Sequence, residues 1–126
     1  MNKIFILLIV VLFFVPGCGS VKEERKIISY DDVNTIIDDY NELENVYIID
    51  VREEDEYDDG HLINAYNIPL SRLVSIINEN ISIDSKIIVY CRSGNRSKSA
   101  QDMLNEMGYT NVYDMGGIMN WPYDVE

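Results

Sequence analysis

A single thiol, Cys91, closes the apolar run Ile87-Ile88-Val89-Tyr90 and opens the loop Cys91-Arg92-Ser93-Gly94-Asn95-Arg96-Ser97, with a helical pattern directly behind it. Where a strand stops and a helix starts, unpartnered backbone N–H groups and the positive end of the helix dipole converge on one anion. A cysteine held there, with arginine one and five positions later, gives up its proton more readily and reacts as a thiolate. The expected chemistry is nucleophilic attack by Cys91 on a small anionic substrate. Arg92 and Arg96 are candidates to grip substrate oxygens by paired hydrogen bonds, or to serve in ion pairs with acids instead. Gly94 offers a backbone angle closed to side-chain-bearing residues, so that the amides from Arg92 to Ser97 can turn inward. Ser93, Asn95 and Ser97 complete the expected cradle, although Ser97 reads first as the cap of the following helix.

The charge pattern bears on the same loop. The chain has 22 acidic and 10 basic residues and a net charge of −12. Yet Lys86, Arg92, Arg96 and Lys98 all fall between Asp84 and Asp102, where no acid intervenes. The functional reading is an electropositive pocket around the thiol; the plain one is an exposed helix face. The acidic surface argues against nucleic acid, which is bound through Lys and Arg. His61, the one histidine, reads as a turn residue, with a base role as its alternative. One histidine and one free thiol supply too few ligands for a metal. Asp50 and Arg52 end an earlier strand and read as a structural ion pair, or Arg52 adds to the pocket's positive field. The acidic run Glu53 to Asp59 reads as solvated surface. Trp121 and Tyr123 belong to the core or to the pocket rim.

The elements that must position these groups alternate between two periodicities. Ile27-Ile28, Val46 to Ile49, Ala65 to Ile68, Lys86 to Tyr90 and Asn111 to Met115 read as strands. Val33, Ile36, Ile37 and Tyr40 recur at helical spacing behind Ser29, and Leu70 to Ile77 and Ser97 to Met107 read as further helices. Gly60, Pro69 and Gly108 are stops. Strands alternating with helices predict an α/β fold, a small parallel sheet of about five strands with helices on both faces. Ligands in such sheets bind beyond the carboxyl ends of the strands, and Cys91 ends one.

The N-terminal segment differs from the rest. Lys3 precedes an unbroken apolar run, Ile4 to Val15, which Pro16-Gly17-Cys18 ends. That run is short of the about 20 residues a membrane-spanning helix needs and has the length and flanks of a signal-peptide core. Val15-Pro16-Gly17-Cys18 resembles the bacterial lipobox, in which the cysteine is acylated and becomes the first residue; Pro16 stands where a small residue is usual. The expectation is a signal peptide over 1–17, lipid attachment at Cys18, a polar tether over 18–26 and one domain over 27–126, held at the extracytoplasmic face of a bacterial membrane. An uncleaved anchor or plain secretion is the alternative. With lipid on Cys18, Cys91 has no disulfide partner in the chain, which leaves a reactive thiol or intermolecular pairing.

Several segments, in order, resemble the single-domain rhodaneses. They are Asp50-Val51-Arg52 with Glu56, then Gly60-His61-Leu62-Ile63-Asn64-Ala65 with Asn67-Ile68-Pro69, then Tyr90-Cys91-Arg92-Ser93-Gly94-Asn95-Arg96-Ser97, then Gly116-Gly117 and Trp121. The resemblance implies a rhodanese-like fold and a sulfurtransferase. The Cys91 thiolate takes the outer sulfur of thiosulfate or a related small anionic donor as a persulfide, then passes it to a thiol or to cyanide. That is two-step covalent catalysis, and it needs no metal or organic cofactor. The related phosphatases have five residues between cysteine and arginine, whereas four separate Cys91 from Arg96; the shorter loop favours sulfur over a phosphoryl group. The alternative is a polysulfide-binding or persulfide-carrier module without turnover.

Overall fold

The sheet is built where the sequence is apolar on both sides of its two central strands. In the computed structural model, which describes residues 24–126, β1 (Val46–Asp50) and β3 (Lys86–Cys91) form its centre, with β2 (Tyr66–Asn67) and β4 (Val112–Gly117) at the edges. The order is β2-β1-β3-β4 and every pairing is parallel. Alternation along β1 and β3 sends Ile48, Ile88 and Tyr90 to one face and Ile49, Ile87, Val89 and Cys91 to the other. Both faces are therefore apolar and both are covered.

Helix α1 (Tyr30–Asp39) covers the first face through Val33 and Ile37. The Ser29 hydroxyl caps it by accepting from the Asp32 amide at 3.1 Å. Helices α3 (Leu73–Asn80) and α4 (Asn95–Glu106) cover the other face with Leu73, Ile77, Ala100 and Leu104. Each of these four is fully buried, and burying a Leu or Ile side chain contributes about 1.5–3 kcal/mol. The short helix α2 (Glu54–Asp58) follows β1.

The sheet has four strands where about five were expected, and several boundaries differ from the sequence reading. The stretch from Leu70 begins as a 3-10 turn over Leu70–Arg72, because the Leu70 amide is drawn back to the Val51 carbonyl at 3.1 Å. Helix α4 starts at Asn95 rather than Ser97, since the left-handed turn at Gly94 (φ 109°) lets the Lys98 amide reach the Gly94 carbonyl at 3.2 Å. The expected first strand shrinks to one parallel bridge between Ile27 and Asp114, because Ser29 already turns the chain into α1. At the domain's edge Arg25 and Lys26, read as the end of a tether, are docked. Arg25 pairs with Asp102 at 3.0 Å, and the Lys26 ammonium donates to the Thr110 carbonyl at 2.7 Å. The signal-peptide reading of 1–17 and Cys18 lie outside the described residues.

Candidate active site

Cys91 is the last residue of β3, and its place is fixed from two sides. On one, β3 continues through the loop into α4. On the other, β4 bulges. Val89 pairs with Asp114 but Tyr90 pairs with Gly116, so Met115 is the extra residue. The Asp114 carboxylate accepts from the Gly116 amide at 2.8 Å, and Gly116 takes a positive φ of 89°. The bulge brings Gly117 opposite Cys91 and flat against the loop. A Cβ on Gly117 would lie 2.2 Å from the Arg92 carbonyl oxygen and 2.7 Å from the Ser93 Cα. That position excludes any side chain. The Met119 amide then donates to the same Arg92 carbonyl at 3.1 Å, and the Tyr30 hydroxyl donates to the Gly117 carbonyl. Trp121 packs edge-on against Tyr30 with ring centres 5.5 Å apart, so it braces β4.

The loop closes on the sulfur. Cys91 is buried, at 1% exposure. The Gly94 amide donates to Cys91 Sγ at 3.0 Å, an approach that the left-handed turn at Gly94 makes possible. The Ser97 hydroxyl lies 3.6 Å from the sulfur and also donates to the Gly94 carbonyl at 3.1 Å. Ser97 is thus no cap: it stands inside the first turn of α4, and Gly94 holds the cap position. As a thiol, Cys91 donates to the Ser97 oxygen; as a thiolate, it accepts from the same hydroxyl. Burial pushes the Cys91 pKa up, and the Ser97 hydroxyl with the amides of Ser97, Gly94 and Ser93 more than offsets it, so the thiol sits below its ordinary value. Peptide and hydroxyl dipoles stabilise the thiolate here.

Two of the arginines near the thiol are paired with carboxylates. Arg52 is buried and its guanidinium grips the buried Asp50 carboxylate, Nε at 3.0 Å from both oxygens and Nη2 at 2.7 Å from Oδ2. Nη2 also donates to the Gly60 carbonyl at 2.6 Å, and the guanidinium lies 5.8 Å from the centre of the Tyr90 ring. Arg52 therefore ties the loops after β1 and α2 together beneath the site. Arg96 forms a fork with Glu56, Nη1 to Oε1 at 2.6 Å and Nη2 to Oε2 at 3.0 Å. The pair holds the Glu56 carboxyl down at about 2, chiefly through the Arg96 hydrogen bond. Lys86 begins β3, at the end of the strand away from Cys91, with its ammonium over the Tyr113 ring. Of the basic stretch, the exposed Arg92 is the loop guanidinium with no carboxylate partner among the described residues. Lys98 is likewise exposed without a carboxylate partner among the described residues, so of the four basic residues in the stretch Arg96 is the one that an acid neutralises.

The remaining loop residues, Ser93 and Asn95, are exposed at the mouth. His61 stacks on Tyr57 at 3.6 Å between ring centres, its Nδ1 sits 2.8 Å from the Tyr57 carbonyl, and its Nε2 meets Glu126 at 3.2 Å. Its contacts are those of a turn residue. Among the described residues no three His, Cys, Asp or Glu side chains gather as a metal site. Sequence reasoning missed Glu56 as the partner of Arg96. The signal was the spacing Glu53-x-x-Glu56 within the acidic run, which forms a capping box on α2. That box sets Glu56 apart from its solvated neighbours.

Known proteins agree with this arrangement. The profile of the Rhodanese-like domain matches residues 24–123. The YqhL protein of Bacillus subtilis is 31% identical over 122 residues, covering 96% of this chain and 94% of that one. The thiosulfate sulfurtransferase PspE of Escherichia coli is 38% identical over 71 residues, 56% of this chain and 68% of PspE. The crystal structure of a rhodanese-related protein from Thermoplasma volcanium superposes with a TM-score of 0.66 at 31% identity, over 80% of this chain and 97% of that one. Other curated relatives are much longer, and the chain spans 21–22% of two yeast adenylyltransferase and sulfurtransferase proteins.

Proposed function

This chain belongs to the rhodanese-like family, whose single-domain members include sulfurtransferases, and on that footing we propose that it moves sulfane sulfur through a persulfide on Cys91. The observation that carries the reading is the buried Cys91 sulfur, held 3.0 Å from the Gly94 amide and below the ordinary thiol pKa. The thiolate attacks the outer sulfur of thiosulfate or a related donor. A bond forms from Sγ to that sulfur, the donor's S–S bond breaks, and its electron pair leaves with sulfite or a thiolate. The new terminal sulfur carries the charge. The inward amides of Ser93, Gly94 and Ser97 are preorganised for a group that is anionic before and after transfer, as oxyanion-hole donors are. An acceptor thiolate or cyanide then takes the outer sulfur and returns the Cys91 thiolate.

Mass spectrometry of the domain after mixing with thiosulfate or an organic persulfide tests this. The expected result is a gain of one sulfur at Cys91, absent in Cys91→Ser, with product formed on adding cyanide. Loading without turnover would leave the carrier role in its place. No loading from either donor would end the sulfur-transfer reading.

We also propose lipid attachment at Cys18 and an extracytoplasmic position at a bacterial membrane, supported by the apolar run Ile4 to Val15 and the Val15-Pro16-Gly17-Cys18 segment. Detergent-phase partition of the expressed protein, lost in Cys18→Ser, is the expected outcome. Recovery of an uncleaved N-terminus would overturn it.

A further inference from the structure

One carbonyl joins the two elements that hold the thiol. The Lys26 oxygen accepts from the Gln101 side-chain amide of α4 at 2.7 Å and from the Asp114 main-chain amide of β4 at 3.0 Å. Helix α4 carries Ser97, whose hydroxyl lies 3.6 Å from the sulfur. Asp114 precedes the bulge that seats Gly117 against the loop. The Ile28 amide donates to the Asp114 carbonyl at 3.1 Å. The chain from Arg25 to Ile28 is therefore fastened to both the helix and the bulged strand.

Gln101 is the centre of this joint. It is buried, at 1% exposure, and both ends of its amide are engaged. Nε2 donates to the Lys26 carbonyl and, at 3.0 Å, to the Val112 carbonyl, while Oε1 accepts from Arg25 at 2.7 Å. Arg25 spreads along the same stretch of helix, donating to the Lys98 carbonyl at 3.3 Å and to the Asp102 carboxylate at 3.0 Å. Packing alone would accept an apolar side chain here, as it does at Ala100 and Leu104. Apolar contact is non-directional, whereas a satisfied buried amide specifies one arrangement. Gln101 stands four residues after Ser97, so both lie on one face of α4. The Ser97 hydroxyl reaches the Gly116 carbonyl at 3.4 Å, and Gln101 reaches Val112. The helix is thus pegged to β4 at two points, one beside the thiol and one a turn away.

We infer that Gln101 is a positioning residue for the thiol: by pegging α4 to β4 and to the segment from Arg25 to Ile28, it sets how the Ser97 hydroxyl and the Gly94 amide meet the Cys91 sulfur. The inference rests on the Cys91 persulfide reading and names a remote support for it. Gln101 touches no substrate; it acts through Ser97. Arg25 and Lys26 then belong to the support of the site.

The test is the pH dependence of Cys91 alkylation by iodoacetamide, read at that residue by mass spectrometry, beside sulfur loading from thiosulfate or an organic persulfide. Gln101→Met keeps the length of the side chain and removes the amide. Its alkylation midpoint rises by about half a unit, and loading below the midpoint slows about threefold with the thiolate lost. Arg25→Ala, at the domain's edge, removes one arm of the joint and moves the midpoint the same way by less, so a misfolded Gln101→Met does not blunt the test. Ile37→Ala on α1 opens a cavity and lowers the urea midpoint but leaves the alkylation midpoint in place. An unmoved midpoint in both Gln101→Met and Arg25→Ala, or an equal shift in Ile37→Ala, overturns the inference and leaves the persulfide intact. Absence of loading in the wild-type chain, with the alkylation shifts as expected, removes the persulfide reading and leaves Gln101 as the support of a reactive thiol.

Discussion

Two arginines flank the thiol's surroundings, each held by a carboxylate, and they differ in depth. The Arg52–Asp50 pair lies under the loops with side-chain exposures of 8% and 0%, whereas the Arg96–Glu56 pair lies at the mouth with 34% and 28%. The buried pair also satisfies the Gly60 carbonyl and the Arg52 amide, so it is a joint among β1, α2 and the turn after it. The shallow pair spans one fork between α2 and α4. A buried ion pair is costly to break because one charge is left without water or partner. A half-exposed one is screened and contributes little to stability. The contrast assigns architecture to the first and charge control to the second.

Breaking the deep pair is the largest expected effect. Asp50→Ala leaves the Arg52 guanidinium buried and unpaired and costs about 3–5 kcal/mol, read as a lower urea midpoint with an unchanged slope. A loss no larger than that in Glu56→Gln would erase the distinction between the two pairs.

Next in size is the loop's other support. Gly117→Ala drives a Cβ into the Arg92 carbonyl and the Ser93 Cα, both backbone, which cannot yield as a side-chain tip does. Overpacking of this kind costs about 1–3 kcal/mol. Because the cradle amides shift with the loop, alkylation of Cys91 at neutral pH slows as well. Slowed alkylation in Gly117→Ala but not in Glu56→Gln would show that β4, rather than the mouth pair, holds the cradle. Equal slowing in both would contradict this.

What the chain itself announced, and what it withheld, follows the reach of each interaction. The strand, loop and helix around Cys91 were legible because they rest on local rules: an apolar run, a glycine turn, a helical period. The parallel sheet with helices on both faces followed from the alternation of patterns. The fate of Arg96 was not legible, because its partner Glu56 is 40 residues away in sequence and sits within an acidic run that looks uniformly solvated. The expected electropositive stretch loses Arg96 to Glu56 for the same reason: counting charges along the chain ignores who pairs with whom. Nor did the sequence disclose the bulge at Met115, which exists to seat Gly117 against the loop. Its marker, Gly116-Gly117, was visible, but the contact that needs it was not.

Ionisation of the thiol separates dipoles from cations by sign. The Ser97 hydroxyl is the foremost group favouring the thiolate against burial. Ser97→Ala therefore moves the Cys91 midpoint up and slows alkylation by iodoacetamide several-fold at neutral pH, where less thiolate is present. Glu56→Gln, by releasing Arg96, moves the midpoint the other way. Ultraviolet thiolate absorbance against pH checks both; shifts in the same direction would mean that the loop, rather than the charge, had changed.

The smallest effect expected is the acid stability of Glu56 itself. Its carboxyl lies at about 2, below its ordinary value of 4.5, chiefly because Arg96 donates to it. For a carboxyl lowered by folding, the linked stability is fully present above the unfolded value and is lost as pH falls through the folded one. The window is therefore pH 4.5 down to about 2. Screening at a half-exposed pair limits the contribution to about 1 kcal/mol, well short of what the shift alone would give. Glu56→Gln removes the charge, so its stability is about 1 kcal/mol lower than wild type at neutral pH and the two curves converge as acid protonates the wild-type residue. Denaturant midpoints measured across that window are expected to close from above. A gap that persists at pH 2 would mean that Glu56 stabilises the fold by packing rather than by charge. The mouth pair would then belong to the architecture, alongside Asp50 and Arg52.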